Sequence, residues 1–230
     1  MKKKVVLVLA GMAVIAFMLG AAEKQEADKP IVPQEKMELW NGKDFSGWKL
    51  FLPDGSDVNQ VWSVRDGVIR CEGKPTGYMR TEADYADYCL HVEWRWPGEP
   101  GNSGVLLHAG GPDKVWPTCI ECQLWATHAG DTVAMEGTKW NEFNPKSKRI
   151  AHGIIVSRLK ESSEKEPGQW NTYEIICKGD WMVVLVNGVL QNVVSGASVS
   201  SGKIGLQSEG SPIEFRNIYL EPLDYPPSND

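Results

Sequence analysis

Helical periodicity is the first thing this sequence lacks. Beyond residue 22, Gly and Pro recur every few residues with short β-branched or aromatic runs between them. That pattern argues for short strands rather than amphipathic helices. No segment recurs at a fixed period, which sets aside a propeller. An excess of positive charge is also missing, since 24 basic side chains stand against 30 acidic ones. A mildly acidic surface attracts neither nucleic acid nor anionic membrane, so neither is expected as a partner. Cysteine is scarce and odd in number, with Cys71, Cys89, Cys119, Cys122 and Cys177. At least one thiol is therefore unpaired within a monomer. Cys119 and Cys122 form the one C-x-x-C, but period two in a strand points them to opposite faces. Packing is the better expectation for them than redox or zinc chemistry, with one disulfide left open.

What is present begins at the N-terminus. Lys2, Lys3 and Lys4 precede an apolar run from Val5 to Leu19, and Gly20-Ala21-Ala22 supplies small residues for cleavage. Residues 1–22 read as a signal peptide. The apolar run is short for a span of ~20 residues, which weighs against a retained anchor. No cysteine follows the small residues to carry a lipid. The mature protein is expected to be exported, periplasmic or secreted, with no membrane association after cleavage. Residues 23–36 are charged and contain Pro30 and Pro33, so they read as a flexible spacer. Residues 37–223 suffice for one well-buried domain, and 224–230 form a polar tail.

Tyr88 to Trp96 alternates most cleanly, with Leu90, Val92, Trp94 and Trp96 on one face and His91, Glu93 and Arg95 on the other. Hairpins are expected at Arg65-Asp66-Gly67, at Gly179-Asp180 and, most strongly, at Asn187-Gly188. Ser103 to Ala109 and Cys119 to Ala126 read as strands joined by a loop from Gly110 to Pro117. Thr127 to Lys148 reads as a long excursion. Roughly a dozen short strands at this spacing predict an all-β sandwich or barrel. Ten tryptophans are many for this length; a core uses several, and an aromatic face can also cover the C–H face of a pyranose.

Six segments, in order, resemble the 3-keto-disaccharide hydrolase domain family. They are LWNGKDFSGW (Leu39 to Trp48), VWSVRDGVIRCEG (Val61 to Gly73), NSGVLLH (Asn102 to His108), IECQL (Ile120 to Leu124), WNTYEIICKGDWMVVLVNG (Trp170 to Gly188) and GKIGLQSEGSPIEFRNIYLEPL (Gly202 to Leu223). The resemblance implies a concanavalin A-like jelly roll of two antiparallel sheets with a concave sugar-holding face. It also implies cleavage of glycosidic bonds in disaccharides or glycosides already oxidised at C3. His108 and Ile120 depart from the residues usual in that family, and residues 127–163 match its pattern poorly.

Candidate site residues follow from the alternation. With Val105 and Leu107 turned to the core, period two puts His108 on the opposite face. Glu121, Gln123 and Trp125 take the same kind of face on their strand, and Gln207 and Glu209 on a third. His108 and Glu121 are the expected catalytic pair. Asn102, Trp116, Gln123, Trp125, Gln207, Glu209 and Arg216 are expected to bind the sugar, with Trp116 on a rim loop. Two mechanisms fit these residue types. Glu121 with a second carboxylate, Glu209 or Glu93, could act as in ordinary glycosidases, although no E-x-D-x-x-E run of the jelly-roll glucanases is present. Alternatively a base, His108 or Glu121, removes the C2 proton that a C3 ketone acidifies, and elimination and hydration follow. A neutral His with its ordinary pKa of ~6.5 suits that base. Gln123, Asn102 or a divalent metal ion would steady the charge on the C3 oxygen. A non-catalytic, lectin-like sugar-binding module is the competing class, and an envelope interaction domain a third.

Overall fold

The computed structural model describes residues 29–53, 55–144 and 147–223. The expected signal peptide and polar tail lie outside the described residues. In chain order the strands are β1 (Met37–Glu38), β2 (Trp48–Phe51), β3 (Trp62–Arg65), β4 (Val68–Cys71), β5 (Gly77–Thr81), β6 (Tyr88–Arg95), β7 (Gly104–Gly110) and β8 (Thr118–Gln123). There follow β9 (Thr132–Met135), β10 (Lys148–Ile150), β11 (Gly153–Val156), β12 (Asn171–Lys178), β13 (Trp181–Val186), β14 (Val189–Val194), β15 (Lys203–Ser208) and β16 (Ile213–Glu221). Among the described residues, one short 3-10 turn, Val58–Gln60, is the sole helical element.

Two antiparallel sheets make a sandwich, one of the two all-β forms the alternation and turn signals allowed, and it is the jelly roll that the family resemblance implied. The first sheet runs β14-β13-β12-β6-β16-β4-β3, with β1 added on β16; the second runs β10-β11-β9-β8-β7-β15-β5-β2. Neighbours distant in sequence, such as β6 beside β12 and β16 or β7 beside β15, mark the crossings between the sheets. The core lies between them. Leu90, Val92 and Trp94 of β6 meet Val105, Leu107, Ile120, Cys122 and Leu206 of the second sheet. Trp94 and Tyr173 pack with ring centroids 4.8 Å apart.

Most of the tryptophan is spent here. Trp40, Trp48, Trp62, Trp94, Trp96 and Trp140 are all buried in this core, each removing ~150–250 Å² from water. Only Trp125 and Trp181 are exposed, so the abundance of tryptophan belongs chiefly to packing. The cysteines follow the same logic. All five are free thiols, and Cys122 faces the core while Cys119 joins an apolar cluster on the other side of its sheet.

Three expectations need correction. The end of the proposed spacer is docked, not free: Ile31 N–H donates to Asp84 O at 2.8 Å and Ala86 N–H donates to Ile31 O at 3.0 Å. The 127–148 excursion contains a full strand, β9, paired to β8 and β11. Its four residues are buried on both faces, so they lack the alternation that would have revealed them. Finally, the strand expected to run to Ala126 stops at Gln123, where the chain turns through Thr127 at a φ of +65°.

Candidate active site

The second sheet turns one face to the core and the other away from it. On the outward face, Tyr78, Leu106, Ala109, Cys119, Val133 and Met135 form a small apolar cluster of their own. Two positions in that face have no side chain. Leu106 of β7 stands between Glu121 on β8 and Gly205 on β15, and Gly104 stands opposite Gln123. One step along β15, Gln207 pairs with Tyr78 of β5. The Glu121 side chain takes the space over Gly104, and Leu106 packs beside Gly205: a Cβ on Gly104 would lie 2.5 Å from Glu121 Oε1 and one on Gly205 3.3 Å from Leu106 Cβ, so any larger residue at Gly104 would displace the carboxyl.

The surroundings of this carboxyl are short of hydrogen-bond donors. Glu121 is only 3% exposed, and its Oε1 has no partner. Burial pushes its pKa up to about 8, and the neighbouring Glu209 carboxylate adds to the rise. Glu209 itself is pushed up to about 6 by burial, against a hydrogen bond from the Asn102 side chain that lowers it. Asn102 is fixed by backbone bridges to Glu209 and Gly210. Its Oδ1, and the Oε1 of Gln207, are further buried acceptors without a partner; Gln207 is 1% exposed. Both carboxyls are pushed up, Glu121 further than Glu209, so Glu121 keeps its proton to higher pH. One can accept a proton while the other donates one. Among the described residues, no group of three or more His, Cys, Asp or Glu is placed to hold a metal ion. A cavity of about 560 Å³ lies elsewhere, by Glu136, Phe143, Arg149 and His152, and holds neither carboxylate.

Glu121, Glu209, Asn102 and Gln207 thus come together as the alternation suggested. His108 does not join them. Its φ is +53°, and the pairing of β7 with β8 slips between Leu107 and Gly110. The bulge turns two successive side chains inward, so the His108 ring packs edge-on against core Tyr88 at 5.8 Å. Burial there drives its pKa down to about 4, and neither ring nitrogen has a side-chain partner. Gln123 is on the outward face, but its Oε1 caps the strand end by accepting from the backbone N–H groups of Leu124 and Trp125, both at 2.9 Å. Trp116 is half-buried on the apolar cluster and stacked on His152 at 3.9 Å. Trp125 is 45% exposed and stacked on His128 at 4.2 Å.

Arg216 is a plain correction, and Glu93 with it. Both belong to the other sheet, on its outer face, where Arg216 Nε donates to Glu93 at 2.7 Å and its guanidinium lies 4.0 Å from the Trp170 ring. Arg216→Ala is therefore expected to leave glycoside cleavage unchanged and to cost ~0.5–1 kcal/mol of stability, checked by parallel rate and melting measurements. Sequence reasoning missed Asp113, which accepts from Arg80 and Tyr78. The signal available was only a Gly-Pro-Asp turn, and nothing in it says where the loop folds.

The two packed antiparallel sheets define a protein of the jelly-roll β-sandwich class. More particularly, the chain belongs to the 3-keto-alpha-glucoside-1,2-lyase-like domain family, whose model matches residues 35–221. A 3-keto-disaccharide hydrolase of Bacteroides thetaiotaomicron is 22% identical over 90% of this chain and 84% of its own length. A crystal structure from Parabacteroides distasonis, of a protein provisionally named a glycosyl hydrolase, is 26% identical with a TM-score of 0.62, covering 83% of this chain and 94% of that one. The β-glucanase of Bacillus licheniformis shares the fold at a TM-score of 0.51 and 14% identity, covering 81% of this chain and 97% of that one.

Proposed function

We propose that this protein cleaves the glycosidic bond of 3-keto-glycosides, with Glu209 as base and Glu121 as acid, outside the cytoplasm after removal of its signal peptide. The observation that carries the reading is the carboxyl-bearing outward face beside Gly104. Two carboxyls of unequal proton affinity meet there beside unpartnered acceptor oxygens of Asn102 and Gln207. Buried acceptors without donors are costly unless a ligand supplies the donors, and sugar hydroxyls do so.

The C3 ketone acidifies the C2 hydrogen. Glu209 takes that proton, the electron pair forms the C1–C2 double bond, and the C1–O bond to the aglycone breaks. Glu121 gives its proton to the departing oxygen. Water then adds: its hydroxyl bonds to C1, its proton returns to Glu121, and Glu209 returns a proton to C2. Both carboxyls are restored, and the net change is hydrolysis. The family's description as a 1,2-lyase and the relative's name as a 3-keto-disaccharide hydrolase fit the two halves of this sequence. His108, on the core side of the sheet, has no part in it.

A 3-keto-glucoside carrying deuterium at C2 tests the route. We expect a primary isotope effect on kcat/KM and loss of the label from the product, with no cleavage of the matching unoxidised glucoside. Full retention of deuterium at C2 with no isotope effect on kcat/KM would rule the elimination out. Equal cleavage of the unoxidised sugar would favour the ordinary two-carboxylate mechanism.

A further inference from the structure

We propose that the cavity between the β9–β11–β10 edge of the second sheet and the chain at 136–143 is a binding site for an acidic sugar. The inference stands apart from the roles given to Glu121 and Glu209, since neither carboxyl lines this cavity. Its volume, about 560 Å³, falls within the ~300–1,000 Å³ of small-molecule sites. Arg149, Ile154 and Ala134 stand side by side on β10, β11 and β9 and line it from the sheet. The facing wall is built by a tight turn after β9. Glu136 and Gly137 take left-handed backbone, with φ of +48° and +90°, and Thr138 N–H donates to Met135 O at 3.1 Å. Beyond the turn, Lys139 N–H donates to Ser198 Oγ at 3.0 Å and Asn141 N–H to Ser195 O at 2.8 Å. Those bonds tie the wall to the loop after β14. His152, in the β10–β11 turn, is stacked on Trp116 with ring centroids 3.9 Å apart.

Two features of the lining call for a ligand that is both anionic and hydroxylated. The first is Arg149. Every other arginine, from Arg65 to Arg216, is ion-paired with an aspartate or glutamate; Arg149 alone has no acidic partner among the described residues. In a chain with 30 acidic against 24 basic side chains, an arginine left unpaired at a cavity wall is a departure. The carboxylate in the same lining, that of Glu136, is engaged by Lys114 Nζ at 2.9 Å. Lys139 adds a second cation with no acidic partner among the described residues. The second feature is Thr138, which is 3% exposed and whose Oγ1 has no partner. A hydroxyl closed off from water without a hydrogen bond costs stability, and a ligand oxygen supplies that bond. Phe143 and Ile154 complete the lining with apolar surface, against which the C–H face of a sugar ring can lie. A guanidinium takes carboxylate or phosphate through two parallel N–H bonds. The ligand class is therefore a sugar carrying a carboxylate or a phosphate, with the oxyanion at Arg149 and Lys139 and a ring hydroxyl at Thr138.

Calorimetric titration of the full protein with glucuronate, glucose 6-phosphate, glucose and inorganic phosphate tests the site without reference to any reaction. We expect at least one of the two acidic sugars to bind at least about tenfold more tightly than glucose and than inorganic phosphate, the scale of a charge-assisted hydrogen bond. Which of the two binds better tells carboxylate from phosphate. Arg149→Gln keeps a donor at an exposed position but removes the charge, and should weaken that binding at least about tenfold. Thr138→Val exchanges the hydroxyl for a methyl of the same shape and should weaken it at least about threefold. If Thr138→Val does not fold, Arg149→Glu decides in its place and should abolish measurable binding. Failure of both acidic sugars to show the tenfold preference overturns the site. So does an affinity unmoved by Arg149→Gln, or one lost in Glu121→Gln and kept in Arg149→Gln, which would put the sugar at the carboxyl pair instead.

Discussion

Glu209→Gln is expected to lower kcat/KM for a 3-keto-glucoside by ~10²–10⁴-fold, and Glu121→Gln by a similar factor, the range typical for losing one acid or base. The pH profile separates the two roles. With Glu209 titrating at about 6 and Glu121 at about 8, the native rate should rise as pH climbs through 6 and fall above 8. Residual activity in Glu209→Gln should lose the acidic limb, and in Glu121→Gln the alkaline limb. Folding gives an independent check. The folded protein raises Glu121 above its ordinary value, so it favours the protonated form; His108 acts the other way below pH 6.5, and the decline in stability should show as pH rises from 6.5 to 8. A glutamine needs no proton, and Glu121→Gln should therefore melt higher than the native protein at pH 8 while being nearly inactive. A variant that loses activity and stability together would point to a carboxylate that merely holds the sheet.

His108 should behave in the opposite way. Its folded pKa of about 4 lies below the ordinary imidazole value of 6.5, so the unfolded chain binds the extra proton first. The stability this provides is complete above pH 6.5 and is lost as pH falls towards 4. At ~1.4 kcal/mol for each pKa unit, the loss approaches ~3 kcal/mol, measurable by denaturant titration across that range. His108→Asn keeps a residue tolerant of the left-handed backbone but removes the ring from Tyr88. It should cost ~1–3 kcal/mol, flatten the acid dependence and leave kcat/KM for the folded fraction nearly unchanged. A fully folded His108→Asn with a rate as low as the carboxylate variants would return the histidine to the reaction.

The alternation of Tyr88–Arg95 and of Thr118–Gln123 was legible from composition alone, because which face a strand residue takes is a local property of period two. That was enough to place Glu121 outward, Ile120 and Cys122 inward, and the two cysteines of C-x-x-C on opposite sides. Turn residues such as Asn187-Gly188 likewise marked hairpins that the structure contains. The same local rule fails at His108, where one extra residue in β7 reverses the face of the side chain. That bulge depends on Gly202 from another strand, whose backbone comes so near that a Cβ there would sit 2.6 Å from the His108 carbonyl carbon. No pattern within β7 encodes that approach.

Arg216 shows the second limit. Alternation says that a residue points away from the core but not from which of two sheets, and Arg216 lies on the sheet that does not carry Glu121. Asp113 shows the third, since its partners Lys49, Tyr78 and Arg80 lie more than thirty residues earlier in the chain. By itself, then, the sequence determined the all-β class, the strand faces and the carboxylate at 121, because these follow from short-range periodicity. Tertiary structure alone decided that Glu209 neighbours Glu121, that His108 turns inward, and that Asp113 is tied to β2 and β5. Each of those depends on which distant strands lie side by side, and in which register.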